Sequence, residues 1–200
     1  MTDQEIMNYV AEHIETKSYL REIYEEMQKI SPGTFQHCFN VGMIALRIGR
    51  DYGLKESDLI DLTFAGVLHD IGKMRVPKSL LDSTKTYSVS EFEQMKKHPE
   101  LGYDLLKKEK KCVRKAVLEH HENFNGTGYP YKKYKNRISL YGRIIRIADV
   151  VDAMTSERAY KESVALSDTC DYLASEKNIL FDGDLLDKYF SIVEYTEREE

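Results

Sequence analysis

The chain is poor in cysteine: Cys38, Cys112 and Cys170 stand far apart in 200 residues, with no Cys-x-x-Cys pair. A disulfide framework and a thiolate zinc ribbon are both excluded, and the thiols read as those of a reducing compartment. It also lacks a surplus of positive charge, since 29 basic against 34 acidic side chains leave a net −5. No general field is available to hold polymeric nucleic acid or a membrane surface. Charges interrupt every apolar run well short of the ~18 residues that a membrane span requires. The opening MTDQEIMNYV carries acids where a secretory signal carries bases, so export is excluded and a cytoplasmic location is expected. Prolines number only 4 and glycines 11, so the chain has few places to break.

Helical periodicity fills that uninterrupted chain. Ile6, Tyr9, Val10, Ile14, Leu20, Ile23, Met27 and Ile30 predict one amphipathic helix, ended by Ser31-Pro32-Gly33. A second helix is expected from about Phe35 to Asp51, closed at Gly53. Ser57 is expected to cap a third that delivers His69-Asp70 at its end. Met74 to Ser88 reads as a loop, and Ser90 with Glu93 as the capping box of a short helix ending near His98-Pro99. Further helices are expected from Pro99, up to His120-His121, from Ser139, near Ser167 and near Asp184, with a frayed acidic tail at 196–200. Asn123 to Arg137 is a Gly- and Tyr-rich loop. No stretch alternates with period two, so one all-α domain is predicted. Residues 1–31 form its N-terminal helix, serving as packing or as a dimer contact, and residues 32–195 its body.

Five of the six histidines sit at special places: His37, His69, His98, His120 and His121. Together with Asp70 and Asp149 they offer imidazole and carboxylate, a donor set suited to Fe, Mn, Zn or Ni. His69-Asp70 and His120-His121 are adjacent pairs. Neighbours on a helix diverge by about 100°, so such a pair reaches two ions in one pocket more readily than one. A dinuclear centre is therefore expected before a single tetrahedral zinc site. His13 has no such setting and reads as a surface residue.

These residues carry a family resemblance. Leu68-His69-Asp70-Ile71-Gly72-Lys73 resembles the HD signature of metal-dependent phosphohydrolases, and His120-His121-Glu122-Asn123-Phe124-Asn125-Gly126-Thr127-Gly128-Tyr129-Pro130 the signature of the HD-GYP branch. Lys97-His98-Pro99-Glu100-Leu101-Gly102, the run from Ile147 to Ser156, Arg158-Ala159-Tyr160-Lys161 and Phe181-Asp182-Gly183 align as well. The resemblance implies a compact helical domain that hydrolyses cyclic di-GMP to linear pGpG, or onward to GMP, through a metal-bridging hydroxide. It implies His37, His69 and Asp149 on one ion and His98, His120 and His121 on the other. Asp70 is the implied bridge, and Fe or Mn the metal before Ni or Zn. Lys73, Arg158 and Lys161 are the implied phosphate contacts, Asp152 an orienting or substrate-side group, and Tyr129 a base or phosphate contact.

Gly33 occupies the place where some members carry a glutamate for a third ion, so two ions are expected. Asn125 stands where the loop usually has aspartate. The resemblance also implies diguanylate cyclase domains as partners of the Gly128-Tyr129-Pro130 loop. No sensor segment is expected ahead of the domain. A phosphodiesterase for cyclic GMP-AMP and a non-catalytic cyclic-dinucleotide module are the alternatives. The lysine run from Lys107 to Lys115 reads as a solvated helix face, and Lys132, Lys133, Lys135 and Arg137 as a steering patch for an anionic substrate.

Overall fold

The computed structural model describes residues 1–81, 86–157 and 163–197. They build a single helical domain without a sheet. None of its helices is long and apolar enough to cross a membrane.

The first apolar stretch forms two helices, where the sequence predicts one. α1 (Asp3–Thr16) starts from a Thr2–Glu5 capping box, and α2 (Ser18–Ile30) follows after Lys17, whose backbone is extended. The reason lies in the apolar phase. Ile6, Val10 and Ile14 repeat in steps of four, but the next buried residue is Leu20, six positions on. A continuous helix could not aim both sets at one core. The break also aims Lys17 at Glu109, which accepts from its ammonium at 2.6 and 2.7 Å, while the Tyr19 hydroxyl donates to the same carboxylate. Glu109 thereby pins the α1–α2 corner to the loop at residues 106–110.

α3 (Pro32–Asp51) takes Pro32 in its first turn and ends before Gly53, whose positive φ of 90° suits glycine. α4 (Glu56–Val67) starts from Lys55, so Ser57 is not its cap. The two helices cross where glycines meet: a Cβ on Gly66 would lie 2.9 Å from the Gly42 Cα. This contact leaves no room for a side chain and brings His37 on α3 close to His69 beyond α4.

A 3-10 turn, Ile71–Arg75, runs into the segment expected as a loop from Met74, and that segment holds a one-turn helix, α5 (Lys78–Leu81). α6 (Val89–Met95) is capped by Ser88 and Glu91, not by Ser90 and Glu93. The two pairs share one spacing, and only the backbone distinguishes them, with Ser88 extended at the helix start. α7 (His98–Leu105), α8 (Lys111–Glu119) and α9 (Leu140–Thr155, capped by Ser139) complete the body, followed by α10 (Leu166–Ser175) and α11 (Gly183–Glu197). Of the tail, residues 198–200 fall outside the described residues.

α9 is the apolar spine expected. Its Ile144, Ile145, Ile147 and Ala148 are fully buried against α3 and α8. Arg143 on α9 pairs with Asp182, whose other oxygen accepts from the Asp184 backbone N–H at 3.1 Å. The Phe181-Asp182-Gly183 element thus caps α11 and ties it to the spine.

The Ile71–Arg75 turn lies directly against the start of α7. A Cβ on Gly72 would fall 1.9 Å from the His98 carbonyl oxygen and 2.5 Å from the Gly102 nitrogen. Both obstacles are backbone and cannot rotate away. Gly72→Ala is expected to lower the unfolding free energy by at least ~2 kcal/mol, read as a drop in the urea midpoint. A second expectation concerns Glu109. Burial opposes its charge, but hydrogen bonds from Lys17 and Tyr19 hold its carboxyl below the ordinary glutamate range. A depressed folded-state pKa contributes stability that is present above the unfolded value and lost as pH falls through the folded one. Wild type is therefore expected to exceed Glu109→Gln in melting temperature at neutral pH, with the gap closing as pH drops below about 4. A pH-independent gap would contradict this.

Candidate metal centre

Each predicted ligand comes from the end of a helix or from a face turned inward. His37 projects from the second turn of α3, and His69 and Asp70 from the turn after α4. His98 opens α7, His120 and His121 end α8, and Asp149 and Asp152 lie one turn apart on α9. All are buried except His121, which is partly exposed.

The donor atoms converge. Asp70, His98, His120 and His121 offer atoms within 4.8 Å of one another, as do His37, His69 and Asp70. Asp70 belongs to both groups. Its Oδ1 lies 3.2 Å from His98 Nε2 and 3.9 Å from His120 Nε2. Its Oδ2 lies 3.4 Å from His69 Nε2 and 3.8 Å from His37 Nε2. Asp149 joins through Oδ1, 3.1 Å from His37 Nε2 and 3.9 Å from His69 Nε2, and through Oδ2, 3.9 Å from His121 Nδ1.

The backbone fixes the protonation pattern of three rings. His69, His98 and His120 each place Nδ1 on the carbonyl three residues earlier: Gly66 at 2.8 Å, Met95 at 2.8 Å and Val117 at 2.6 Å. A carbonyl only accepts, so each Nδ1 donates to it and each Nε2 is turned inward. The Nε2 atoms of His98 and His120 then face one another at 3.1 Å. A proton or a metal ion between them relieves the repulsion that two lone pairs have at that distance. His69 Nε2 and Asp70 Oδ1 are buried without a hydrogen-bond partner among the described residues. Orphaned buried acceptors of this kind, imidazole and carboxylate together, fit divalent metal ions.

His37 is aimed differently. Its Nδ1 meets Asp152 Oδ2 at 2.6 Å, and Asp152 Oδ1 accepts from Asn40 at 2.8 Å and from the Ser156 hydroxyl at 2.7 Å. A carboxylate behind a ligand histidine sets its tautomer and raises its basicity. Asp152 Oδ2 thus backs the His37 ring, while Asn40 and Ser156 hold its Oδ1 in place.

The electrostatics agree. Burial penalises charge on Asp70, yet Lys73 and His69 hold its carboxyl well below the usual range. Burial likewise opposes charge on Asp149, and His37, His69 and His121 override it in the same direction. Burial and neighbouring imidazoles push His120 and His121 well below the ordinary histidine value, so both are neutral and ready to ligate. Burial works against a charged His69, but Asp70 outweighs it and raises that pKa. Lys73, 2.5 Å from Asp70, is held protonated by that carboxylate against the cost of its burial.

Two clefts flank the cluster. One, of about 550 Å³, is bordered by His37, Asn40, Lys73 and Asp152. The other, of about 820 Å³, is bordered by His121, Tyr129, Lys96 and Arg146. Tyr129 stacks on His121 with ring centroids 4.7 Å apart. The expected phosphate contacts Arg158 and Lys161 lie outside the described residues.

Sequence reasoning missed the groups that hold the loop after α8. Glu122 is buried and accepts from the backbone N–H of Tyr131 at 2.7 Å and of Lys133 at 3.0 Å. Glu119 is fully buried and accepts from the Ser139 N–H at 2.6 Å and from the Lys133 ammonium. The available signal was an acid on either side of the double histidine, in a run otherwise turned to the core.

Fold and site together define a class: a helical domain built around buried histidines and aspartates that suit divalent metals. A profile of the HD domain matches residues 9–185. A cyclic di-GMP phosphodiesterase of Thermotoga maritima is 29% identical over 186 residues, 89% of this chain and 50% of that protein. The 3'3'-cGAMP-specific phosphodiesterase 2 of Vibrio cholerae is 30% identical over 176 residues, 86% of this chain and 34% of that protein. In fold, an HD-GYP-type protein from Bdellovibrio bacteriovorus superposes with a TM-score of 0.67 at 18% identity, covering 96% of this chain and 62% of that one. The chain belongs to the HD domain family, in its HD-GYP branch. It spans half or less of the length of these curated relatives.

Asp152→Asn keeps the shape of the side chain but removes the charge behind His37. Its affinity for Mn(II) or Fe(II) is expected to fall by about 10- to 100-fold, read by titration against a competing chelator, with the helical circular-dichroism signal unchanged. Wild-type affinity in this variant would remove the orienting role.

Proposed function

We propose that the chain is a metal-dependent phosphodiesterase that opens cyclic di-GMP to linear pGpG. The observation carrying this reading is Asp70, whose two oxygens face two separate groups of histidines. His37, His69 and Asp149 would hold one ion, and His98, His120 and His121 the other, with Asp70 shared. Bound there, divalent ions supply Lewis-acid polarisation of a phosphate and an activated water at neutral pH.

The chain's own groups do the remaining work. Three rings are held by helix-end carbonyls and one by Asp152, so the ligand set is oriented before anything binds. The Lys73 ammonium stands at the wall of the cleft beside Asp70 and is positioned to meet phosphate charge. Tyr129, half-buried over His121, offers a ring face to a base or a hydroxyl to a phosphate. Arg158 and Lys161 are proposed as phosphate contacts on the motif alone.

Two ions per chain are proposed, Fe or Mn before Ni or Zn, and Gly33 supplies no ligand for a third. A cytoplasmic location fits the three free cysteines. The Gly128-Tyr129-Pro130 loop as a contact for diguanylate cyclase domains, and a homodimer through residues 1–31, belong to the same reading. A second substrate, cyclic GMP-AMP, is favoured by the resemblance to the Vibrio cholerae enzyme that is specific for it.

The test is chromatography of products after incubating the protein, purified without oxygen and loaded with Fe(II) or Mn(II), with each cyclic dinucleotide. The expected result is linear dinucleotide from cyclic di-GMP, two ions per chain, and loss of both metal and turnover in Asp70→Ala. Retained turnover in Asp70→Ala would falsify the shared-carboxylate assignment. Three ions per chain would overturn the two-ion count, and faster cleavage of cyclic GMP-AMP would favour the second substrate.

A further inference from the structure

Arg146 is a cation in a helix otherwise given over to the core, and the cluster does not use it. It sits three residues before Asp149, so both project from the same side of α9. Its Nε donates to Asn123 Oδ1 at 3.2 Å, and Asn123 spends its amide N–H on the Thr127 hydroxyl at 3.0 Å. Its guanidinium carbon lies 5.6 Å from the Phe181 ring centroid. These contacts fix the side chain yet leave its terminal N–H groups without a carboxylate among the described residues. A positioned guanidinium with free donors fits a phosphate.

The surroundings point the same way. Arg146 lines the cleft of about 820 Å³ that opens beside His121 and Tyr129, and Lys96, Lys97 and Lys132 line its walls. Lys96 pairs with Glu93 at 2.5 Å and lies 5.8 Å from the Tyr129 ring centroid. Lys97 and Lys132 are exposed. Two acids share the rim, but Glu93 is taken by Lys96 and Glu100 accepts from the Tyr131 hydroxyl at 3.2 Å. The cleft therefore carries positive charge on the side of the cluster away from Lys73.

Resting on the phosphodiesterase reading, we propose that this cleft is a second phosphate subsite, with Arg146 as its central contact and Lys97 and Lys132 drawing the anion in. The ligand chemistry is a nucleotide phosphate. It has two sources, the substrate's second phosphodiester or the terminal phosphate of the linear product. A substrate lying across the cluster would then be held from both sides.

The experiment measures KM and kcat on cyclic di-GMP, with pGpG as product inhibitor, for wild type, Arg146→Ala, Arg146→Lys and the double variant Lys97→Ala/Lys132→Ala. Arg146→Ala is expected to raise KM by about tenfold or more with a smaller change in kcat, and Arg146→Lys to recover part of the loss. The double variant is expected to flatten the decline of kcat/KM with added NaCl. A rise in KM with unchanged pGpG inhibition assigns the substrate's phosphate, and weaker pGpG inhibition alone assigns the product's. Both constants unchanged in every variant would overturn the subsite. Should Arg146→Ala melt early, the double variant at exposed positions carries the test. Should wild type cleave no cyclic dinucleotide, the phosphodiesterase reading fails instead. Equilibrium dialysis of pGpG then still decides the subsite, about tenfold weaker binding to Arg146→Ala supporting it and equal binding refuting it.

Discussion

Five imidazoles and two carboxylates packed into the middle of a helical core form an arrangement that protons alone satisfy poorly. Apolar surroundings oppose charge, so His120 and His121 stay neutral and turn lone pairs toward their neighbours. The same surroundings leave an Asp70 oxygen and a His69 nitrogen without a hydrogen bond among the described residues. Folding supplies the positions through apolar burial on all sides. The positions in turn demand positive charge at the centre, and Lys73 meets only one edge of that demand.

The fold class and the candidate donors were legible in the sequence because both rest on local rules. Helical periodicity, a Pro at the start of α3, Ser139 before α9 and the adjacent pairs His69-Asp70 and His120-His121 need no tertiary information. Three features were not legible in that way. The break at Lys17 depends on which direction the core lies, and on Glu109, which is 92 positions away. The choice of Ser88 over Ser90 as a cap depends on backbone angles that identical spacings do not separate. The carbonyl contacts of His69, His98 and His120 exist only because each histidine falls where a helix ends or begins, with the carbonyl three residues back within reach of its ring.

The buried acids beside the double histidine organise a part of the site that motifs describe only by composition. The loop from Asn123 to Arg137 has little regular structure, yet Glu122 takes two of its backbone N–H groups and Glu119 takes Lys133 and Ser139. Replacing the loop's usual aspartate by Asn125 keeps an acceptor in place, since Asn125 Oδ1 takes the Thr127 N–H at 3.0 Å. The negative charge was dispensable for this turn, whereas the oxygen was used. Firm walls follow, and with them a cleft whose outline is set by the resting protein.

The seam at Gly72 has a wider mechanical meaning. Asp70 lies on one side of it and His98 on the other, held together by backbone-to-backbone contact with no side chain as padding. A slip of one body along the other would part the carboxylate from half of its histidines while leaving every residue intact and every helix wound. The joint therefore sets the spacing between the two halves of the cluster by main-chain contact alone.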